Sequence, residues 1–387
     1  MLLLIKSEAQ EVAMNIFTPP VMVGAERTVD YFNYLSGKNV ALVVNQTSVI
    51  GKIHLADSLL NAGIKIKTIF SPEHGFRGTD DAGKEISNGV DAKTGVPLIS
   101  LYGKEKKPSA ENLKGIDVVV YDIQDVGVRF YTYISTLHYV MEACAENNVE
   151  LLLLDRPNPN GFYVDGPVLD TAFKSFIGVD AVPIVYGMSA GEYAQMLNGE
   201  KWLHNGIQCN LKIVSCLNYT HNTLYQLPVN PSPNLRSMTA IYLYPSICLF
   251  EGTIVSVGRG TNKPFMLIGY PDCEKTNISF TPKSMSGASD PPYKDKKCNG
   301  FDLSGLNYGF FEENKKISLL WLQKFYTGYP DQEKFFTNYF DLLAGTDELR
   351  KQIVNQKTET EIRRSWEPKL SAFKLIRKKY LLYEDFE

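Results

Sequence analysis

The stretch SPEHGFRG, residues 71–78, sets Glu73, His74 and Arg77 within five positions, directly after the apolar run Ile64 to Phe70. Such a loop can both move a proton and hold an anion. Two further loops have the same character. QDVGVRFYTY brings Gln124, Asp125, Arg129, Tyr131 and Tyr133 just after Asp122, and DRPNPNGFYVDG brings Asp155, Arg156, Asn158 and Asp165. Carboxylates in this number could supply the proton donor and the stabilising or activating base that glycoside cleavage needs. Arg77, Arg129 and Arg156 could hold a carboxylate through two parallel hydrogen bonds, which suggests an anionic ligand. Each residue also has a plainer reading: acids cap or pair at strand ends, and arginines pair with neighbouring acids.

Three other patterns point to rival chemistries. GTDDAGK (78–84) approaches a phosphate-cradling loop, but Glu85 stands where a Mg²⁺-binding hydroxyl is needed and Asp80 and Asp81 would repel phosphate. GMSAG (187–191) offers Ser189 as a nucleophile on an elbow. Ser189 followed by Glu192 is equally a capping box opening a helix, which is the stronger reading. The five histidines lack metal-ligand spacing and the six cysteines contain no C-x-x-C, so neither a metal nor a redox pair is expected.

The elements that must carry these loops read as an α/β fold. NVALVVN (39–45), IKIKTIF (64–70), IDVVVYDI (116–123) and VELLLLDR (149–156) are continuously apolar, as parallel strands covered on both faces should be. HLADSLLNAG and YTYISTLHYVMEACAENN between them have helical spacing. Ligands of such sheets gather beyond the carboxyl ends of the strands, where the charged loops fall. A chain of 387 residues suggests two lobes, divided here as 1–168 and 169–387. The second half is less regular, with a strand-turn-helix over VPIVYGMSAGEYAQMLNGE and packed terminal helices over 347–382. Asn234 in NPSPN, Glu251 in FEGT, and Arg259 and Thr261 in GRGTNKPF sit in stiff loops that suit hydrogen-bonding walls and equally suit tight turns.

A net charge of -3 offers no basic field for nucleic acid. No stretch approaches the roughly 20 apolar residues of a membrane span. MLLLIKSEAQ has only four consecutive apolar residues, short of the roughly 7 to 15 of a signal core.

Taken in order, NQTS, SPEHGFRG, SLYG, DIQDVGVRFYTYISTL, DRPNPNG, GPVLD, GMSAGEYA, PSPN, YPSICLFEGT and SVGRGTNKPF resemble the motifs of the exo-β-N-acetylmuramidase family, over nearly the whole chain. The resemblance implies a Rossmann-like N-terminal lobe joined to a smaller α/β lobe, an active-site cleft between them, and no nucleotide or other cofactor. It implies release of N-acetylmuramic acid (MurNAc) from the non-reducing end of peptidoglycan fragments, muropeptides or MurNAc-GlcNAc, by a bacterial protein that is periplasmic or secreted. It makes Glu73 the foremost catalytic candidate. On that basis Glu73 is expected as general acid, with His74 orienting it. Asp122, Asp125 and Asp155 would position water or stabilise the transition state. Arg77, Arg129 or Arg259 would clamp the lactyl carboxylate, and Tyr131 and Tyr133 would touch the sugar. The competing expectations are a muropeptide-binding protein without turnover and an esterase acting through Ser189.

Overall fold

The computed structural model describes residues 19–76, 88–274 and 276–387. The apolar runs form strands as expected: β1 (Asn39–Val44), β2 (Lys65–Ser71), β5 (Val118–Asp122) and β6 (Glu150–Leu154), joined by β3 (Gly89–Val90), β4 (Pro97–Ser100) and β7 (Leu211–Val214). Their order across the sheet is β3-β4-β2-β1-β5-β6-β7. Every pairing is parallel except that of β3 with β4.

Side-chain alternation explains why the central strands β1, β5 and β6 are apolar on both faces, whereas β2 exposes Lys65 and Lys67 in its first half. Val40, Leu42, Val118, Val120, Leu152 and Leu154 face one core with Tyr31, Leu35, Leu55 and Leu59. Ala41, Val43, Val119, Tyr121, Leu151 and Leu153 face a second, larger core. That core takes in the helices α1 (Tyr133–Glu146) and α2 (Ala190–Gly199), then runs on into the second lobe through Phe250, Phe325, Phe340 and Trp366. Sharing one core holds the two lobes to each other. The second lobe has the antiparallel strands β8 (Leu267–Tyr270), β9 (Ile278–Phe280) and β10 (Cys298–Asp302). It also contains the helices α3 (Met238–Ile247), α4 (Tyr339–Ala344) and α5 (Glu359–Arg377).

Two details depart from the expected pattern. β7 belongs to the parallel sheet although it follows the division placed at residue 168. VPIVYG is not a strand: Val185 makes only single bridges, to Val128 and to Asp165. Its backbone links loops rather than extending a sheet.

Candidate active site

At the carboxyl end of β2 the chain turns through Pro72 to Gly75, with the Gly75 amide donating to the Pro72 carbonyl at 3.1 Å. His74 in that turn has φ 70°, a left-handed conformation that costs a side-chain-bearing residue roughly 1–2 kcal/mol. The turn keeps Glu73 half-buried at the wall of a cavity of about 900 Å³. Thr132, at the start of α1, donates its hydroxyl to Glu73 Oε2 at 2.8 Å. Tyr102, just past β4, meets the same carboxylate; burial first, then the Glu73 charge and hydrogen bond, push the phenol upward. Tyr133 donates weakly, at 3.4 Å, to the carbonyls of Glu73 and Pro231. Glu73 is thus held by its own turn after β2 and contacted from the loops that follow β4 and β5.

His74, Tyr131, Glu251 and Arg259 also line the cavity, whereas Arg77 lies outside the described residues. The Tyr131 hydroxyl donates to the Pro231 carbonyl at 2.8 Å, so this ring braces the Pro-rich loop against the first lobe. Arg259 is bound by both carboxylate oxygens of Glu251. Asn234 stands just behind the wall, donating to the carbonyl of the cavity residue Gly287 at 2.8 Å. Thr261 donates to the Gly258 carbonyl at 2.7 Å, which is the tight-turn alternative for GRGTNKPF.

The remaining candidates point into the protein. Asp122 is fully buried and forms a two-pronged ion pair with Arg156, which also donates to the Val49 carbonyl. Asp155 is fully buried and accepts from Ser189 Oγ at 2.6 Å, the Tyr383 hydroxyl at 2.6 Å, and the amides of Gly191 and Arg156. Burial pushes Asp155 up to about 6, against the pull of those hydrogen bonds. A β-carbon at Gly191 would lie 2.8 Å from Asp155 Oδ2, so only glycine allows this approach. Asp125 accepts from the Tyr186 hydroxyl and the Gly127 amide behind the tyrosine wall, and burial likewise pushes it up to about 6. Gln124 donates to the Asp125 and Pro157 carbonyls, and Asn158 to Met188. None of these residues lines the cavity, so the expected direct contacts of Asp122, Asp125, Asp155, Gln124, Arg156 and Asn158 are replaced by contacts that shape the loops.

Arg129 corrects the anion-clamp expectation most clearly. Its side chain is fully buried, and it donates to the carbonyls of Pro167, Val182, Leu343 and Ala344 at 2.7–3.0 Å. It ties the first lobe to α4 and faces no ligand space. Ser189 is 1% exposed and caps α2: its Oγ accepts from the Glu192 amide while Glu192 accepts from the Ser189 amide. The capping reading therefore describes it.

Tyr102, Thr132, Lys106 and Phe176 line the cavity without having been singled out. Tyr102 and Lys106 lie in or just after SLYG, directly beyond β4, so the rule that ligands gather at strand ends reaches them. Phe176 comes from an irregular stretch with no pattern to read. Among the described residues no group of histidine, cysteine and carboxylate side chains is arranged to hold a metal ion, and no helix is long and apolar enough to cross a membrane.

Comparison with known proteins agrees with this architecture at both ends of the chain. Residues 40–239 match the family described as exo-β-N-acetylmuramidase NamZ, N-terminal, and residues 242–383 match its C-terminal counterpart. The peptidoglycan β-N-acetylmuramidase NamZ of Bacillus subtilis (strain 168) is 38% identical over 385 residues, covering 94% of this chain and 92% of that protein. Two crystal structures of DUF1343 family proteins from Bacteroides fragilis NCTC 9343 are similar throughout. One is 48% identical with a TM-score of 0.88, and the other 30% identical with a TM-score of 0.79. Each covers 95% of this chain and 100% of the solved one. With both halves matched, and with a full-length relative well above 30% identity, the chain belongs to the exo-β-N-acetylmuramidase NamZ family.

Proposed function

We propose that the cavity at Glu73 is the active site of an exo-acting β-N-acetylmuramidase that releases MurNAc from the non-reducing end of peptidoglycan fragments. One observation carries the reading: the glutamate of SPEHG stands on the wall of the large inter-lobe cavity, bonded by Thr132 and touched by Tyr102. In this reading Glu73, as the acid, gives its proton to the glycosidic oxygen. The bond from C1 to that oxygen breaks, and charge on the sugar ring is relieved as water adds its hydroxyl to C1. Over the full turnover, the second hydrogen of water restores the acid. The loop Ser232–Leu235 and the segment Ser289–Tyr293 border the cavity from the second lobe, which suits an enzyme acting only at a chain end. A periplasmic or extracellular location and a part in cell-wall turnover follow from where such fragments occur; subcellular fractionation tests this.

The deciding experiment measures free MurNAc released from MurNAc-GlcNAc and from a chromogenic β-MurNAc glycoside, comparing wild type with Glu73→Gln. Release by wild type alone supports the reading. Binding of the disaccharide without release by either protein would favour a muropeptide-binding protein instead.

A further inference from the structure

MurNAc differs from N-acetylglucosamine by one group, the lactyl ether, which joins an anionic carboxylate to an apolar methyl. An enzyme that selects it needs a cation beside an apolar surface. Of the expected arginines, the two that the structure describes do not supply one: Arg129 is sealed among carbonyls, and Arg259 is neutralised by Glu251. The cavity has a further cation, Lys106, four residues beyond the Tyr102 that touches Glu73. Its Nζ sits 4.7 Å from the centroid of the Phe176 ring. Phe176 lies beside Tyr102, with ring centroids 5.9 Å apart, and stacks on Tyr139 at 9°. Ile177 adds an aliphatic surface to the same wall. Among the described residues Lys106 has no carboxylate partner, whereas the adjacent Lys107 is bound by Glu142 and Glu146.

Resting on the muramidase reading above, we infer that Lys106 with Phe176 forms the subsite for the lactyl group, and that Lys106 sets the preference for sugars carrying a free carboxylate. The ammonium meets the carboxylate, and the methyl lies against Phe176 and Ile177. A lysine held over an aromatic ring is kept from collapsing onto nearby acids, so its charge stays directed at the ligand space. Its half-exposed position means that the carboxylate can replace water at the ammonium without exposing the core. Lys106 touches no reacting bond here and acts on binding alone.

The test compares two chromogenic β-MurNAc glycosides, one with the free lactyl carboxyl and one with that group converted to the carboxamide. With Lys106→Met, KM for the acid should rise at least tenfold with kcat within a few-fold of wild type. On the carboxamide the variant and wild type should behave alike, and Lys106→Arg should recover most of the loss on the acid. Equal losses on both glycosides, or no loss on the acid, would overturn the subsite. Melting curves and Lys106→Gln guard against a fold defect. Wild type that cleaves neither glycoside would remove the muramidase reading and this inference together, whereas an active wild type with an indifferent Lys106→Met removes only the latter.

Discussion

Thr132 occupies the N-cap of α1, yet its hydroxyl makes no bond to that helix and instead reaches Glu73 Oε2 at 2.8 Å. A threonine there would ordinarily accept from the second or third amide of the helix. Here the helix start serves the carboxylate. Thr132→Val should therefore cost activity rather than stability: the bond strengthens as Glu73 gives up its proton and becomes charged, and a hydrogen bond to a charged group contributes roughly 1.5–3 kcal/mol, at most about a ten- to hundredfold fall in kcat/KM. Thr132→Ser should restore most of it. A melting temperature that drops by several degrees with activity intact would show the hydroxyl to be structural.

Arg129 crosses from the first lobe to the end of α4, and Gly345 makes room for it. Gly345 has φ +72°, and a β-carbon there would lie 2.6 Å from Arg129 Nη2. Removing the guanidinium takes the donor from the buried carbonyls of Pro167, Leu343 and Ala344, whereas that of Val182 keeps the Leu169 amide. Arg129→Met should destabilise the protein by on the order of 3 kcal/mol or more, since each buried acceptor left without a donor costs about 1–3 kcal/mol. KM of the protein that remains folded should change little. A normal melting temperature with a raised KM for MurNAc substrates would instead make Arg129 a ligand residue.

These two residues show what the sequence could disclose. The strands were legible because parallel strands buried on both faces need apolar residues throughout, a pattern that survives any detail of packing. Glu73 stood apart from the other strand-end carboxylates through the resemblance of its SPEHG stretch to the family motif, not through its residue type or position. The other charged residues were not separable in this way. Asp122, Arg129, Asp155 and Arg156 have the same loop positions and the same chemistry as true ligand residues, and only the direction of each side chain distinguishes an ion pair or a cap from a cavity wall. Lys106 and Phe176 escaped for the opposite reason: their loops have no periodicity, and the contact joining them spans 70 positions of the chain.

His138 is buried between Asp180, at 3.0 Å, and Glu142, at 3.1 Å. Burial opposes its charge, but the hydrogen bonds it donates to Asp180 and then to Glu142 outweigh that and push it up to about 9. Because the folded value lies above the ordinary 6.5, the charged histidine stabilises the fold fully below pH 6.5. That contribution fades as pH rises through 9. The amount is about 3 kcal/mol as an order of magnitude. Thermal melting should therefore fall between pH 7 and 9.5 in wild type, and His138→Gln should be less stable at pH 6 with a flatter profile. Asp180 lies on the same segment as Phe176, so KM for MurNAc glycosides should rise over the same alkaline range. Parallel pH profiles for wild type and His138→Gln would remove His138 as the cause.

Ser189 separates two enzyme classes. A serine nucleophile needs an exposed hydroxyl and a histidine to take its proton. Ser189 instead donates to Asp155 at 2.6 Å and accepts from the Glu192 amide at 3.2 Å. The buried His221 is occupied between Glu192 and Asp385. Loss of a serine cap usually costs about 0.5–2 kcal/mol, and here the fall should lie toward the upper end because Asp155 loses a donor too. Ser189→Ala should thus melt several degrees lower yet release MurNAc at close to the wild-type rate, and a fluorophosphonate should not label the wild-type protein. Labelling at Ser189 together with an inactive Ser189→Ala would mean that the helix cap opens to expose a nucleophile, and the glycosidase assignment of Glu73 would have to give way to ester cleavage.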